Sequence, residues 1–506
     1  MTSPGTTDRE RPGWDRASRA AALFCAALAV LAAFGLRWWL LREPTTGFAA
    51  SLPGSDDPYG RRERLAKAAK AKAADVKIGE FFQPFEGTPG TTTESWPCFR
   101  GPHYDHISRT PLAINTTWPD GGPPVRWSVQ LGEGYAGAAV HNGRVYVLDY
   151  DETAEGDALR CFSLTDGREI WRRWYKLPLR PNHGFSRTVP AVTDKYVVTL
   201  GPMAHVMCVD AVTGALRWTI DMVRDYGTRE DLPNMWYASQ CPLIEDGVAV
   251  LAPTGPNVLM MGVDCESGQT VWSTPNPAGW LMAHSSITPM TLAGRRMYVL
   301  CAIGGTVGVA ADGPDRGRIL WQSSEWDHRC VAPSPVAAGD NRVFLTAGYG
   351  KGCMMIRVSK DAGGYAVSVL YRMSPKEGPA CEQHTPIVYR DHLFTVQPDE
   401  GPLRKQLVCY RPDGTLVWSS GKRNRFGLGP FMIADEKLLV LNDYGVLTVA
   451  QASPERYIQL ARARVLDGHE AWAPFALVDG LLLLRDSERM ICLDLRTERG
   501  RPAESG

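Results

Sequence analysis

The chain has 506 residues, 44% of them hydrophobic and 22% charged, which supplies a large packed core and shows no disordered composition. Its 55 basic residues balance 55 acidic ones, removing the bulk attraction that non-specific binding to DNA, RNA or acidic lipid requires, so nucleic acid is not an expected partner. The 16 Trp and 50 Gly point to many short strands joined by tight turns, with large aromatics between sheets.

Residues 1–16 form a basic tail that includes Arg9, Arg11 and Arg16, and Arg19 follows. From Ala20 to Leu36 no residue is charged, and Trp38, Trp39, Leu40 and Leu41 prolong the apolar character past Arg37. A bilayer core takes roughly 20 such residues, preceding Arg residues stay cytoplasmic, and a Trp pair suits the interface. Residues 17–41 are therefore expected to form an uncleaved transmembrane anchor, single-pass in a bacterial inner membrane, with the rest of the chain on the periplasmic, exported side. The alternative is a cleaved signal peptide, for which Leu31-Ala32-Ala33 offers small residues. Lipoprotein attachment at Cys25 is disfavoured, because Cys25 lies within the apolar run behind Leu23 and Phe24.

Residues 42–124 read as a linker and an extended arm that docks on the domain following it. Up to about Gly90 the composition is Pro, Gly, Ser and charge, interrupted by ERLAKAAKAKAAD from Glu63 to Asp75. That run has good helix formers and no apolar stripe, as a solvated spacer helix would; its basic charge could instead touch anionic headgroups. Trp96 and Phe99, in the stretch from Trp96 to Pro102, are the expected anchors of the arm.

From residue 125 to 495 one unit recurs about every 50 residues: a Pro, an apolar strand, a second strand, a turn with Gly, then Trp. The clearest copies run from Val189 to Trp218 and from Cys241 to Trp272, ending in Asp210, Gly214 and Trp218, and in Asp264, Gly268 and Trp272. Further copies end at Trp171, Trp321 and Trp418; Tyr371 stands in for one Trp, and a weak copy begins at Pro430. Pro474 to Leu495 supplies three strands without a fourth, and Val125 to Leu131 supplies one strand without its unit. Joined, they make an all-β, eight-bladed propeller whose last blade is closed by the N-terminal strand, leaving no open ring edge. Trp127, Trp171, Trp218, Trp272, Trp321 and Trp418 are expected to pack structurally between blades, with the turn Gly adopting angles costly for other residues. Residues 496–506 are expected to be a disordered tail.

The 12 Cys are scattered, with neither a Cys-x-x-Cys pair nor a Cys/His cluster at zinc spacing, so no metal site is expected. Cys161, Cys208, Cys409 and Cys492 sit in apolar runs as small core residues.

The ending Asp-x-x-Thr/Ser-Gly-x-x-x-Trp resembles the tryptophan-docking repeat of pyrroloquinoline-quinone-type propellers, over about Val125 to Leu495. Trp96 to Pro102 likewise resembles the Trp-Pro-x-Phe-Arg-Gly-Pro stretch that precedes such propellers in many bacterial exported proteins. Two branches share this layout: quinoprotein alcohol dehydrogenases, and non-catalytic propellers such as the lipoprotein of the outer-membrane barrel-assembly machinery. The first branch implies adjacent cysteines beside the cofactor, a catalytic Asp, and carboxylate and amide ligands for calcium. This chain has no Cys-Cys pair, and no catalytic residue carries over by motif. WD-repeat propellers are disfavoured because no Asp follows the repeat Trp.

Function is expected where the loops entering the innermost strands converge at one mouth of the channel. Aligned on the strand Pro, their residues are Tyr135, His183, Arg187, Ser239, Gln240, His284, Ser285, His328, Arg329, Glu382, His384, Arg425, Glu470 and Trp472. A His there would titrate near neutrality beside an acid. The resulting expectation is a membrane-anchored protein-binding or scaffolding module of the cell envelope, with an envelope or exported protein as partner and no cofactor. The alternative is a quinone-dependent oxidoreductase acting on an alcohol or sugar with pyrroloquinoline quinone and calcium.

Overall fold

The computed structural model of the protein describes residues 16–41, 76–229 and 236–497. The chain divides into two compact units, Met1–Ala66 and Lys67–Gly506. The described part of the first is helix α1 (Arg16–Leu41), on which Leu23, Phe24, Leu31, Phe34 and Trp38 stand exposed. Among the described residues no helix is long and apolar enough to cross a membrane. The uncharged stretch from Ala20 to Leu36 is 17 residues, short of the roughly 20 that the hydrocarbon core takes. The spanning anchor expected over 17–41 is therefore not shown. Arg9, Arg11, the spacer helix expected from Glu63 to Asp75, and residues 498–506 of the expected tail lie outside the described residues.

The second unit holds eight sheets, each built from a four-stranded antiparallel meander. In chain order the meanders occupy 139–176, 191–221, 243–275, 288–323, 336–373, 387–419, 431–464 and 476–494, the last completed by Val125–Gln130. First strands of the eighth, first, second and third blades touch in turn around the centre, as do those of the fifth and sixth. Second and third strands read as unbroken apolar runs because adjacent blades cover both their faces; Tyr196–Leu200 is buried at every position. Fourth strands are half exposed, as in Leu216–Asp221. The closing strand pairs antiparallel with Arg489–Asp494, so the first and last strands of the ring share the eighth blade.

Each blade has a bulge at the same place, where the fourth strand presents its docking residue to the third. The cross-strand pairs are Cys161 with Trp171, Cys208 with Trp218, Gly262 with Trp272, Gly308 with Trp321, Met355 with Tyr371, Cys409 with Trp418, Val449 with Ala461, and Cys492 with Trp127. All four Cys opposite a Trp are fully buried; a larger side chain there would displace the ring. The indoles reach into the following blade. Trp127 donates to the Leu164 carbonyl (2.8 Å), Trp171 to Val212 (3.1 Å), Trp218 to Cys265 (2.9 Å) and Trp418 to Ser453 (3.0 Å), while the Tyr371 hydroxyl donates to Pro412 (3.0 Å). Turn Gly residues make room: Gly167, at φ +71°, would place a Cβ 2.7 Å from the Trp127 ring.

Trp272 and Trp321 depart from this hydrogen-bond pattern because Gly262 and Gly308 let their indole nitrogens lie over their own sheets, although the Trp272 ring still stacks on Tyr298 (5.9 Å) of the following blade and against its turn Gly317. A Cβ at Gly262 or Gly308 would meet the indole nitrogen at 2.1 and 2.2 Å. Trp321 donates to the Met297 sulfur, and the Trp272 N–H has no partner.

The seventh blade carries Ala461 at the docking position for a topological reason. The turn that would receive its Trp joins the third and fourth strands, and in the eighth blade those strands come from opposite ends of the domain. Gly122, in the segment leading into the closing strand, packs on neighbouring Ala463 instead.

Residues 81–115 wrap the propeller. Phe81–Pro84 pairs with residues 171–174 and covers the outer edge of the first blade. The chain then crosses the end of the channel formed by the turns between first and second strands. Trp96 exchanges two backbone hydrogen bonds with Val140 of the first blade (2.8 and 2.9 Å), and the Pro97 carbonyl accepts from Val192 of the second (2.8 Å). The Arg100 guanidinium donates to Pro386 at the sixth (3.0 Å). Ile107–Ser108 adds a parallel strand to the seventh, and the Glu94 carboxylate accepts from Asp479 of the eighth (2.9 Å). Trp96 is 2% exposed, whereas Phe99 is half-buried against the core.

A polar chain links the first two blades on the other face. The Tyr175 hydroxyl donates to Asp157 (2.8 Å) and lies 3.1 Å from His205 Nδ1. Burial pushes the Asp157 carboxyl from 3.8 up to about 7; the Tyr175 bond opposes this and the Asp149 charge adds to it. Between pH 4 and 7 the unfolded chain ionises first, so this group's contribution to stability is full below about pH 4 and is lost as pH rises through 7. Asp157→Asn is therefore expected to raise stability at pH 8 by up to roughly 4 kcal/mol, with the gap closing by pH 4. Urea midpoints of both proteins across that range check it, and a constant difference would refute it.

Candidate functional site

At the mouth opposite the arm, the loop from the eighth blade and those leading into the first and second meet. The Tyr135 hydroxyl donates to the Glu470 carboxylate, and its ring lies 5.1 Å from that of Trp472. Trp472 in turn donates to Asp443 (2.8 Å). On the other side of Tyr135 the Arg187 guanidinium lies 5.1 Å from the ring centroid, a cation–π contact strengthened by exclusion of water. Arg187 donates to the Asn182 and His183 carbonyls, while its Nε is buried without a partner.

The third and fourth blades contribute a second group. Ser239 Oγ lies 2.6 Å from His284 Nδ1, and Gln240 donates to the Ser285 carbonyl (3.3 Å). Burial, with Arg187 nearby, pushes His284 down to about 4, so its imidazole is neutral at physiological pH. Trp236 stacks on Tyr349 (6.0 Å, 16°) and lies 6.1 Å from His284. Glu382 is half-buried, and its carboxyl is raised by burial and by Glu400 and Asp399.

The other expected mouth residues differ in burial. His183, Arg329 and Arg425 are exposed, and His328 is half-buried beside Lys351 and Asp327. His384 sits deeper, near His106 of the arm; burial holds it down to about 4 and lowers His106 well below its ordinary range, and each keeps an unpartnered Nε2. No acid acts on His284 or His384, so the condition under which a mouth His would titrate near neutrality is not met at either, and burial lowers both.

Three features escaped the sequence reading. Tyr349 belongs to the turn between second and third strands, and such turns open on the same face as the loops considered. Trp236 and Tyr237 stand just before Ser239, and burial of Tyr237 was not legible. The third is a relay of backbone donors and small side chains ahead of the strand Pro. Val189 N–H reaches Cys241 Sγ (3.3 Å), Cys241 N–H reaches Ser286 Oγ (2.9 Å), Ser286 N–H reaches Ser334 Oγ (3.0 Å), and Ser334 N–H reaches Thr385 Oγ1 (2.9 Å). Aligning the residue before the strand Pro would have exposed Val189, Cys241, Ser334 and Thr385, whereas Ser286 precedes Ile287. The relay ties five blades together beneath the mouth.

Residues with positive φ occur in turns on both faces of the propeller, the mouth among them. His183, Tyr237, Tyr349 and Glu470 have φ of +49°, +63°, +55° and +55°, a conformation costing about 1–2 kcal/mol for residues with a side chain.

The donor set does not suit a calcium–quinone centre. Glu470 is engaged by Tyr135, the Glu382 carboxyl is shifted toward its neutral form, and Arg100 and His106 of the arm are buried at the channel. Among the described residues no group of three or more His, Cys, Asp or Glu could hold a metal ion. No chemical step follows for a quinone from these residues.

Residues 154–403 match the family model described as outer membrane protein assembly factor BamB. No curated protein matches the chain. Among solved structures, BamB from Moraxella catarrhalis is 13% identical, covering 75% of this chain and all of that one, with a TM-score of 0.47. Quinohemoprotein alcohol dehydrogenase from Comamonas testosteroni is 11% identical, covering 88% and 86%, with a TM-score of 0.51. The computationally designed Ika8 protein is 12% identical, with 74% and 100% covered and a TM-score of 0.48. These likenesses concern the fold, which binders and enzymes share. On its repeat, its eight-bladed ring and the matched model, the chain is similar to the pyrroloquinoline-quinone-like β-propeller repeat proteins.

Proposed function

We propose that the protein is a binding or scaffolding module of the bacterial cell envelope that presents its mouth loops to an envelope or exported protein, with α1 attaching it to the inner membrane and the propeller on the periplasmic side. One observation carries this reading: the mouth gathers aromatic walls around a guanidinium whose Nε is buried without a partner. The BamB description of the matched model supports an assembly role. The attachment rests on the uncharged run from Ala20 to Leu36 and on its exposed large side chains.

Crosslinking in intact cells tests it. A photoreactive residue at His183, Arg329 or Arg425 is expected to capture a discrete envelope protein from the membrane fraction, whereas one on the fourth strands, at Leu216 or Val271, is not. Equal capture from both positions, or none from the loops, sinks the reading. Recovery of the full chain in the soluble fraction would sink the attachment.

A further inference from the structure

Arg187 is the mouth residue whose surroundings leave most undone. Its guanidinium is held by two backbone carbonyls and the Tyr135 ring, and no carboxylate among the described residues lies within 4 Å of it. Its Nε–H is buried and has no acceptor, whereas an Arg fork is built to give two parallel hydrogen bonds to a planar anion. Glu470 is taken by the Tyr135 hydroxyl, and Glu133 acts on Arg187 only through space. The positive charge is thus fixed in place and unmatched.

Around it stand flat apolar surfaces: Tyr135 with Trp472 on one side, and Trp236 with Tyr349, which is 50% exposed, on the other. Arg187 lies within electrostatic reach of Tyr349 and His284. Extending the reading of the mouth as a protein-binding face, on which this rests, we propose that it takes an acidic peptide segment, with one carboxylate on the Arg187 fork and a neighbouring ring or apolar side chain against these aromatics. A carboxylate suits the charge better than a phosphate does. Only one cation is offered, Glu133 and Glu470 stand nearby, and a dianion would be left half neutralised.

The probe is N-acetylphenylalanine, which joins one carboxylate to one ring, titrated by ligand-observed NMR into the purified full-length chain. Its amide and inorganic phosphate are the comparison arms. The acid is expected to bind saturably, and the amide about tenfold to a hundredfold more weakly, the range for one charge-assisted pair. Arg187→Gln should impose the same loss on the acid while leaving the amide unchanged, and Arg187→Lys should keep part of the binding. Acid and amide binding alike, phosphate displacing the acid, or no saturable binding of the acid each overturns the proposal. Should Arg187→Gln fail to fold by circular dichroism, the acid–amide comparison on the native chain decides alone. Loss of the carboxylate preference with loop crosslinks intact removes this inference only; loss of the crosslinks removes the binding reading beneath it.

Discussion

Trp96→Ala is expected to lower the stability of the propeller unit by about 3–5 kcal/mol, the cost of truncating a buried Trp to Ala. The ring is 2% exposed, stacks 6.0 Å from His106, and lies against Gly101, whose own Cβ would meet it at 2.8 Å. Its position makes the loss more than local. Trp96 pairs with Val140 through both its N–H and its carbonyl, the arm beyond it touches the second, sixth and seventh blades, and Glu94 just before it holds the eighth. Freed at Trp96, the arm loses its fixed end, and buried Arg100 becomes a trypsin site. The measurement is a urea midpoint together with timed proteolysis, with cleavage after Arg100 and Arg109 preceding any cut in the blades. A midpoint shift under about 1 kcal/mol, within the range of ordinary surface substitutions and small perturbations, would show that the arm rests on the propeller without bracing it. Phe99→Ala, half-buried, should cost clearly less.

The second large effect is expected at the ring closure. Trp127→Ala and Trp418→Ala remove indoles of nearly equal burial, 6% and 7% exposed, each donating to a carbonyl of the next blade. Both should cost about 3–5 kcal/mol at equilibrium. They should differ in kinetics. Trp418 lies in a sheet whose four strands are consecutive in the chain, whereas Trp127 lies on a strand held to its blade only by pairing with residues 489–493. Such non-local pairing carries a loop-closure cost and contributes little until the rest of the ring is in place. Trp127→Ala is therefore expected to speed unfolding more than Trp418→Ala and to bring hydrogen exchange forward first in Arg489–Asp494. Equal unfolding rates would show that the seam is no weaker than any other blade junction. Gly167→Ala gives an independent check, since its Cβ would stand 2.7 Å from the Trp127 ring at a φ of +71°.

The number of blades, the docking Trp positions and the closing strand were legible because each unit encodes itself locally. Asp210 and Thr213 close a turn that Gly214 completes, and Trp218 follows at a set distance; the pattern needs no knowledge of distant residues. Tyr371 as a stand-in was legible for the same reason, and its hydroxyl reaches the Pro412 carbonyl where other blades use an indole N–H. Ala461 was not. Its small size follows from the missing turn in the neighbouring blade, which is a property of ring closure and not of the seventh unit.

At the mouth, chain position named candidates without saying which would meet. Tyr135 and Glu470 are 335 residues apart, and they touch because the first and last blades are neighbours. Arg187, His284 and Tyr349 come from three different loops, and only the curvature of the closed ring brings them within reach of one another. The burial that lowers His284 and His384 is likewise a property of packing that no single loop carries. The sequence by itself determined the propeller, since short-range turn chemistry and strand periodicity repeat with each blade. The tertiary structure decided which side chains share the mouth and that the arm crosses the opposite end, because those contacts exist only once eight separate units are bent into one ring.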